Sequence, residues 1–418
     1  MGKLEKLINE LCPDGVKYNN LGELGNFYGG LSGKTKEDFT EGNAKLITYK
    51  NIYSNLTLNV NANDKVKISK HEKQNNIKYG DVLFTGSSET PDECGISSVL
   101  TTKTEETLYL NSFSFGFRFL DEKLFNPEFS KHLFRSKTLR QQITRTANGV
   151  TRFNVSKKKM EKVVIPIPPL KVQNEIVHIL DNFAELTAEL TAELTARKKQ
   201  YDYYLNKMYE DLSINKVNLV KFHEIGIIER GNGLQKSDFV EKGVPCIHYG
   251  QIYTYFGTYT SKTKSFVSIE LAKKLRKVKY GDIIIAVTSE NIEDVCKSVL
   301  WLGDEEIVTG GHTGIFRHNQ NPKYIAYFFK TKMFFEQKRK IAHGTKVIEV
   351  TPRKLENIVI PIPSLNEQQR IVDILDKFDK LVNDISEGIP AEIAARQKQY
   401  EYYRDKLLTF KEVGNESI

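Results

Sequence analysis

Hydrophobic and polar positions follow two different rhythms along the chain. Short apolar runs bounded by glycine, asparagine and aspartate predict strands, and longer runs with helical spacing at 129–147 and 324–342 predict helices. Together these stretches predict α/β-mixed globular domains. The strand-like runs are LITYKNIY (46–53), GDVLFTG (80–86), SFSFGFRFL (112–120) and GDIIIAV (281–287).

Two further stretches, one in the middle of the chain and one near its end, carry apolar residues in steps of three and four. This spacing puts one apolar stripe on each helix, and the stripes pair most simply with each other as antiparallel, coiled-coil-like segments. Gly388 and Pro390 interrupt the second stripe and should break or kink that helix. The stripes include Ile176, Leu180, Phe183, Tyr201 and Tyr204 in the first helix and Ile371, Leu375, Phe378, Tyr400 and Tyr403 in the second.

An internal duplication accounts for this organisation. The segment ANGVTRFNVSKKKMEKVVIPIPPL (147–170) matches AHGTKVIEVTPRKLENIVIPIPSL (342–365) at an offset of 195 residues. The copies agree in framework motifs and differ between them, which predicts two similar scaffolds with different surfaces. The predicted segments are an N-terminal helical segment (1–15), a first globular domain (16–164), a central helical spacer (165–214), a second globular domain (215–359) and a distal helical spacer (360–418).

The central spacer contains the unit AELT three times, at 184–195. Alanine, glutamate and leucine favour helix, and a four-residue unit keeps leucine on one face. Phe183 and Arg197 are 14 residues apart, whereas their counterparts Phe378 and Arg396 are 18 apart, so the copies differ by one unit. One unit changes a helix by about 6 Å, close to two base pairs of DNA. We interpret the repeat as an adjustable spacer; replication slippage tolerated on a solvated helix is the alternative.

Composition narrows the class of protein only slightly. The 418 residues carry a net charge of +8, a mild bias toward anionic partners that many basic proteins share without binding nucleic acid. The four cysteines are far apart in the sequence and are expected to be reduced. Since no apolar run approaches 18 residues, we expect no membrane segment and a cytoplasmic location.

The sequence contains no recognisable motif for catalysis or for binding a nucleotide or a metal. GGLSGKT (29–35) lacks the first glycine of a phosphate-binding loop, because Tyr28 stands at that position. NPEF and NPKY differ from the Asn-Pro-Pro-aromatic motif of amino-methyltransferases, and we interpret them as helix starts with an asparagine cap. The histidines form no metal-type cluster. Neither catalytic nor metal-binding residues are therefore expected in this chain.

The order of these parts resembles the specificity subunit (HsdS) of type I restriction-modification enzymes, and the AELT repeats look most like the type IC branch. The resemblance covers nearly the whole chain. It is carried by IPIPPLKVQNEIVHILD (165–181), IPIPSLNEQQRIVDILD (360–376), ARKKQYDYY (196–204) and ARQKQYEYY (395–403).

The resemblance implies a non-catalytic role within a larger complex. Each globular half would be a target-recognition domain that reads one half of a bipartite site in double-stranded DNA, and the helices would set the gap. The stripe residues above would help to dock two methyltransferase (HsdM) subunits, which use S-adenosylmethionine to methylate adenine. Restriction (HsdR) subunits, which use ATP and Mg, would join them, so this chain itself would hold no cofactor. The start of the chain (4–25) is similar to residues 204–226 and so would continue the repeat after the distal helix. The chain termini would then meet in space, which gives a pseudo-twofold molecule.

Base readout needs hydrogen-bonding side chains on loops, and phosphate contacts need lysine or arginine. Three framework-flanking stretches supply them in each copy, although a solvated loop residue is an equal alternative for any single member. The candidates are Tyr49, Lys50, Asn51, Thr85, Ser87, Ser88, Arg145, Asn148, Thr151 and Arg152 in the first copy and Tyr249, Gln251, Thr288, Ser289, Arg339, His343, Thr345 and Lys346 in the second.

Two other functions stay open at this point. In one, the chain is a scaffold that binds only proteins; salt-sensitive duplex binding by the assembled complex would exclude it. In the other, it is an enzyme whose site the motifs do not reveal; turnover by the isolated chain would support it.

Overall fold

A computed structural model describes residues 2–214, 217–384 and 386–414. The chain divides into two compact units: unit 1 comprises Met1–Leu190 with Ile393–Ile418, and unit 2 comprises Thr191–Glu392. Each unit therefore combines one globular copy with parts of both helical stretches. The predicted boundary between residues 214 and 215 borders positions 215 and 216, which lie outside the described residues.

The globular part of unit 1 is built from small sheets with short helices. One sheet has the strand order β2-β10-β6-β8, a second has β4-β3-β9-β5, a third has β11-β12-β7, and β1 pairs with β13. The strands are β1 (Lys17–Asn20), β2 (Gly25–Gly29), β3 (Ala44–Ile47), β4 (Lys65–Val66), β5 (Asn76–Ile77), β6 (Val82–Thr85), β7 (Ser87–Ser88), β8 (Ser97–Val99), β9 (Leu108–Leu110), β10 (Ser114–Phe119), β11 (Ala147–Asn148), β12 (Phe153–Val155) and β13 (Val164–Ile167). The helices are α1 (Lys3–Leu11), α2 (Leu21–Leu24), α3 (Tyr49–Ser54), α4 (Pro127–Leu133), α5 (Lys137–Thr144) and α6 (Lys157–Met160).

Unit 2 repeats this plan after the long helix α7 (Leu170–Ile214). Its sheets have the orders β15-β25-β21-β23-β18 and β16-β19-β17-β24-β20, and β22 pairs with β26 and β14 with β27. The strands are β14 (Leu219–Lys221), β15 (Gly226–Arg230), β16 (Phe239–Val240), β17 (Val244–Ile247), β18 (Tyr259–Thr260), β19 (Ser265–Val267), β20 (Arg276–Val278), β21 (Ile283–Ala286), β22 (Thr288–Ser289), β23 (Ser298–Trp301), β24 (Ile307–Thr309), β25 (Thr313–His318), β26 (Ile348–Glu349) and β27 (Val359–Pro361). The helices are α8 (Phe222–Ile225), α9 (Tyr249–Thr254), α10 (Ile269–Ala272), α11 (Pro322–Phe328), α12 (Lys332–Ile341), α13 (Pro352–Leu355), α14 (Leu365–Asn383) and α15 (Ile389–Leu407).

The two helical stretches differ in continuity. Helix α7 runs for 45 residues without interruption through the AELT repeats. The distal stretch ends its first helix at Asn383 and starts the next at Ile389, with Pro390 in the first turn. Proline fits a first turn because its missing N–H would have no partner there. The break predicted from Gly388 and Pro390 is thus confirmed.

Two local predictions need correction and one is confirmed. In LITYKNIY only Leu46 and Ile47 are strand, at the end of β3. The Thr48 hydroxyl accepts from Asn51 N–H and caps α3, so the second half of this motif is helix. Each long helix-like run is two helices, α4 and α5 or α11 and α12. The asparagine caps are present, since the Asn126 side chain accepts from Glu128 N–H at 2.9 Å.

A buried glutamine joins each globular part to its helix. In unit 1 the Gln173 amide donates to the carbonyl of Pro168 at 2.8 Å and accepts from Asn126 N–H at 2.8 Å. In unit 2 Gln368 makes the same bonds to Pro363 and Asn321, at 2.9 and 3.0 Å. Both glutamines are fully buried, so a lost bond would leave polar groups without a partner in the core.

The stripes pack inside each unit. In unit 1 the Phe183 ring stacks on Tyr403 with centroids 5.2 Å apart, and in unit 2 Tyr204 stacks on Phe378 at 5.5 Å. The chain ends also meet in unit 1, where Val16 N–H donates to the Lys411 carbonyl at 2.8 Å, as expected from the sequence. The other stripe residues are buried in the unit cores: Ile176, Leu180, Tyr201, Ile371, Leu375 and Tyr400.

In each unit an aspartate on the long helical stretch forms a hydrogen bond with the globular part, but its partner differs between the units. In unit 1 buried His132 contacts Asp181 and Tyr400, both at 2.8 Å. In unit 2 Tyr327 takes the place of the histidine and donates to Asp376 at 2.7 Å. Burial lowers the pKa of His132 from its ordinary 6.5, and the hydrogen bond to Asp181 offsets only part of this effect. His132 is therefore neutral in the folded protein near pH 6.5.

Burial of His132 predicts that unit 1 loses stability in mild acid. Below pH 6.5 the unfolded chain binds a proton at His132 more readily than the folded chain does, so the free energy of unfolding falls by up to about 1.4 kcal/mol per pH unit. Hydrogen exchange at α4, corrected for intrinsic rates, should accelerate between pH 7.5 and 5.5 more in the parent than in His132→Gln, which cannot bind a proton at that position. The variant His178→Gln, at an exposed position, should behave like the parent; an equal acceleration in His132→Gln would contradict the prediction.

Candidate nucleic-acid interface

A hairpin with an exposed tip lies beside a short strand in each unit. In unit 1 Ala147–Asn148 pairs with β12, which also pairs with Ser87–Ser88. In unit 2 β26 pairs with β22 and bridges His343 through Glu349. The tips turn at Gly149 and Gly344, whose φ values of 139° and 112° favour glycine. The tip residues are exposed and available to a ligand.

Ser87 occupies the centre of a concave surface in unit 1. Its hydroxyl accepts from Arg152 Nη2 at 3.1 Å, and its carbonyl accepts from the Tyr49 hydroxyl at 2.8 Å. Five of the predicted residues thus come together on one surface. The lining consists of Tyr49, Tyr53, Ser87, Ser88, Glu89, Glu93, Phe113, Thr151 and Arg152.

A carboxylate limits what this surface can bind. Glu93 accepts from the Tyr53 hydroxyl at 2.7 Å and from the Ser88 hydroxyl at 3.2 Å. The hydrogen bond from Tyr53 holds the pKa of Glu93 below its usual range, so the group is charged at neutral pH. A carboxylate repels phosphate but can accept from the amino group of cytosine. This corner suits a base edge better than a DNA backbone.

Thr288 is the counterpart of Ser87 in unit 2. Its hydroxyl lies 3.1 Å from His312 Nδ1, and its carbonyl accepts from the Tyr253 hydroxyl. The Tyr249 ring lies 4.9 Å from His312 and 4.4 Å from His248. The same frame therefore carries a histidine-rich surface here, in contrast to the arginine, carboxylate and phenylalanine of unit 1.

The other predicted residues fall into two groups. Some serve the fold: buried Asn51 bonds both backbone groups of Asn59, buried Thr85 accepts from Ile96 N–H, and Gln251 donates to Ser265. These side chains are already engaged within the protein. The exposed ones are Lys50, Arg145, Asn148, Thr151 and Arg152 in unit 1 and Arg339, His343, Thr345 and Lys346 in unit 2; Ser88 and Ser289 are half-buried.

Exposed cations border each hairpin and were only partly predicted. They can neutralise phosphates without reading sequence. Lys159 also donates to the Asn148 side chain at 2.7 Å and so steadies the hairpin. The exposed set is Arg145, Lys157, Lys158, Lys159 and Lys162 in unit 1 and Arg339, Lys340, Lys346, Arg353 and Lys354 in unit 2.

Sequence reasoning missed the residues that hold the loops beside these surfaces. In unit 1 Arg140 donates to the carbonyls of Asp92 and Cys94 at 2.9 and 2.6 Å, and Arg135 donates to Ser97 at 2.7 Å. Burial lowers the pKa of both guanidinium groups to about 10, which leaves them charged at neutral pH. Both side chains are half-buried, a property that no motif in the sequence indicates.

Comparison with known proteins identifies the family. The model of the type I restriction modification DNA specificity domain matches residues 13–197 and again 215–395. The chain belongs to this specificity-subunit family. The two matches coincide with the two copies of the duplication, and each extends from a globular part into the adjoining helical stretch.

Individual relatives agree with this assignment. The chain is 37% identical over 269 residues to the type I restriction enzyme EcoR124I/EcoR124II specificity subunit of Escherichia coli, an alignment that covers 61% of this chain and 65% of that protein. It thus spans just under two thirds of that relative.

Solved structures show the same fold. The HsdS subunit from Thermoanaerobacter tengcongensis superposes with a TM-score of 0.51 at 18% identity, covering 97% of this chain and 98% of that one. A chain from a study of complex assembly and conformational transition in the type I R-M system gives a TM-score of 0.62 at 18% identity, covering 94% and 97%. Among the described residues, no helix is long and apolar enough to span a membrane.

Proposed function

We propose that this chain is the DNA-recognition subunit of a type I restriction-modification complex and that each unit reads one half of a bipartite, asymmetric site. One observation carries the proposal: the two units share one backbone framework, but the equivalent surfaces of the two units carry different side chains. Ser87 and Thr288 occupy equivalent strands, yet one contacts arginine and the other histidine. Two such readers on one chain would recognise two different sequences.

The continuous helix α7 supports a role in spacing. At 1.5 Å per residue its 45 residues extend for about 67 Å, longer than one turn of DNA, about 34 to 36 Å. The AELT repeats lie inside it, so a change in their number would alter its length without ending the helix. We propose that this length sets the number of unread base pairs between the half-sites.

The catalytic steps belong to other subunits in this proposal. Two methyltransferase subunits with S-adenosylmethionine would flip and methylate an adenine, and restriction subunits would use ATP and Mg in the cytoplasm. The chain's own residues supply recognition of double-stranded DNA and docking. This division of roles is consistent with the specificity-domain family, and it assigns no bound cofactor to this chain.

Docking of the methyltransferases requires exposed side chains on the helices, and two tyrosines meet this need. The stripe residues proposed for docking, such as Tyr201 and Tyr400, are buried within the units. Tyr203 and Tyr402, two positions further along each KQYxYY motif, are 57% and 61% exposed. Aromatic side chains are frequent anchors in protein interfaces because they bury much area at low entropic cost. We therefore place the docking contacts on Tyr203 and Tyr402.

The test of the proposed function is a map of N6-methyladenine in DNA from cells that express this chain with its cognate methyltransferase subunit. The expected result is one motif with two dissimilar half-sites separated by a fixed gap, absent when either protein is omitted. Methylation without such a motif, from a complex shown to assemble, would contradict the proposal. Turnover by this chain alone would contradict the assignment of catalysis to partners.

Replacing Tyr203 or Tyr402 by alanine should weaken assembly with the methyltransferase subunit by 1 to 4 kcal/mol, roughly 5- to 1,000-fold in Kd. Sedimentation or calorimetry of the purified subunits measures this. Ile269→Ala, which removes a 66% exposed side chain from the globular part of unit 2, is the matched control and should leave assembly unchanged. Unaltered affinity for both tyrosine variants would remove these residues from the docking surface.

A further inference from the structure

Phe113 and His312 occupy the same backbone position in the two units. Gly86 N–H donates to the carbonyl of Phe113 at 2.8 Å, and Val287 N–H donates to the carbonyl of His312 at 3.0 Å. The next residue in each case begins the strand β10 or β25, which pairs with β6 or β21. Both side chains therefore start from equivalent backbone positions, Phe113 near Ser87 and His312 near Thr288.

Arg152 and Val347 form a second equivalent pair, at the tip of the hairpin. The following residues, Phe153 and Ile348, pair with Ser88 of β7 and Ser289 of β22. Each also stands three residues after the left-handed glycine of its tip. This agreement of register and turn fixes the correspondence independently of side-chain similarity.

The chemistry at these two positions is interchanged between the units. In unit 1 the strand position is apolar and the hairpin position is a cation: Phe113 is 63% exposed, and Arg152 donates to the Ser87 hydroxyl at 3.1 Å. In unit 2 the strand position is polar and the hairpin position is apolar: His312 lies 3.1 Å from the Thr288 hydroxyl, and Val347 is 58% exposed. The Ser87 hydroxyl thus contacts a polar side chain from the hairpin position, and the Thr288 hydroxyl contacts one from the strand position.

The backbone of Phe113 is held by hydrogen bonds, and its ring faces solvent. Its N–H donates to the Asn111 side chain at 3.0 Å, and Asn111 is buried and donates in turn to the Ile47 carbonyl at 3.0 Å. Because this backbone is already fixed, contact with a ligand would order only the side chain. Such a ring is suited to the methyl group of thymine, whereas a guanidinium suits the O6 and N7 edge of guanine.

We infer that the residue pairs Phe113/His312 and Arg152/Val347 contact bases and determine the two half-site sequences. Unit 1 sets an apolar ring against a thymine methyl and directs a guanidinium to a guanine. Unit 2 exchanges the two roles, with the imidazole reading a base edge through Nε2 and the valine contacting a methyl group. The inference rests on the proposed function, in which each unit reads one half-site.

The experiment is selection of binding sites by the assembled complex from a duplex library in which both half-sites are randomised. Phe113→Ala and Arg152→Ala should each reduce preference at one base pair of one half-site by about 5- to 150-fold, and leave the other half-site unchanged. His312→Ala and Val347→Ala should act on the other half-site alone. Phe113→Leu, which keeps an apolar group there, should retain most of the preference.

Leu120→Ala is the control, because it removes a 68% exposed apolar side chain from the residue just after β10, at the end of the strand opposite to Phe113. It should change neither half-site. If the parent selects a bipartite site and all four alanine variants select the same one, the inference is overturned and the proposed function stands. If Arg152→Ala lowers binding to every sequence equally and flattens the salt dependence, Arg152 contacts phosphate and its assignment is overturned. A parent that selects no bipartite site overturns both.

Discussion

Each unit depends on the burial of a helical stripe in the same core as its sheets. Ile176 and Leu180 are fully buried in unit 1, and Ile371 and Leu375 are buried in unit 2, each among the phenylalanines of the globular part. Because helix and globular part share a core, neither can shift without exposing apolar surface. Gln173 and Gln368 reinforce the junction with buried hydrogen bonds. The globular surface is consequently fixed relative to its own helix.

Within this rigid frame the side chains on the concave surface are free to vary. The backbone bonds from Gly86 to Phe113 and from Val287 to His312 are the same in both units and do not depend on the side chain. Substitution at these positions therefore costs the fold little. A scaffold with these properties can acquire a new recognition sequence without losing its framework, which agrees with the high similarity of the motifs and the low similarity between them.

The features that the sequence predicted most clearly are those that occur in both copies of the duplication. The offset of 195 residues located both capping asparagines and both helical stretches, and Gly388 with Pro390 located the helix break. The sequence placed Tyr201 and Tyr400 on the apolar stripes, which the fold buries, but gave no role to the solvent-facing Tyr203 and Tyr402 of the same motif. Phe113 escaped notice since it reads as one more aromatic in a strand, and only the fold shows its ring outside the core. Arg135 and Arg140 likewise read as surface charges until their carbonyl partners are known.

We propose that two fixed recognition surfaces are joined by a helix whose length sets their separation. This can be tested with the methylation motif of a chain that lacks residues 188–191, one AELT unit, and is expressed with the same methyltransferase subunit. Four residues are a little more than one helical turn, so the stripe is preserved while the helix shortens by about 6 Å. Both half-sites should persist and the gap should shrink by one or two base pairs. An unchanged gap between the same half-sites would show that the length of α7 does not set their separation.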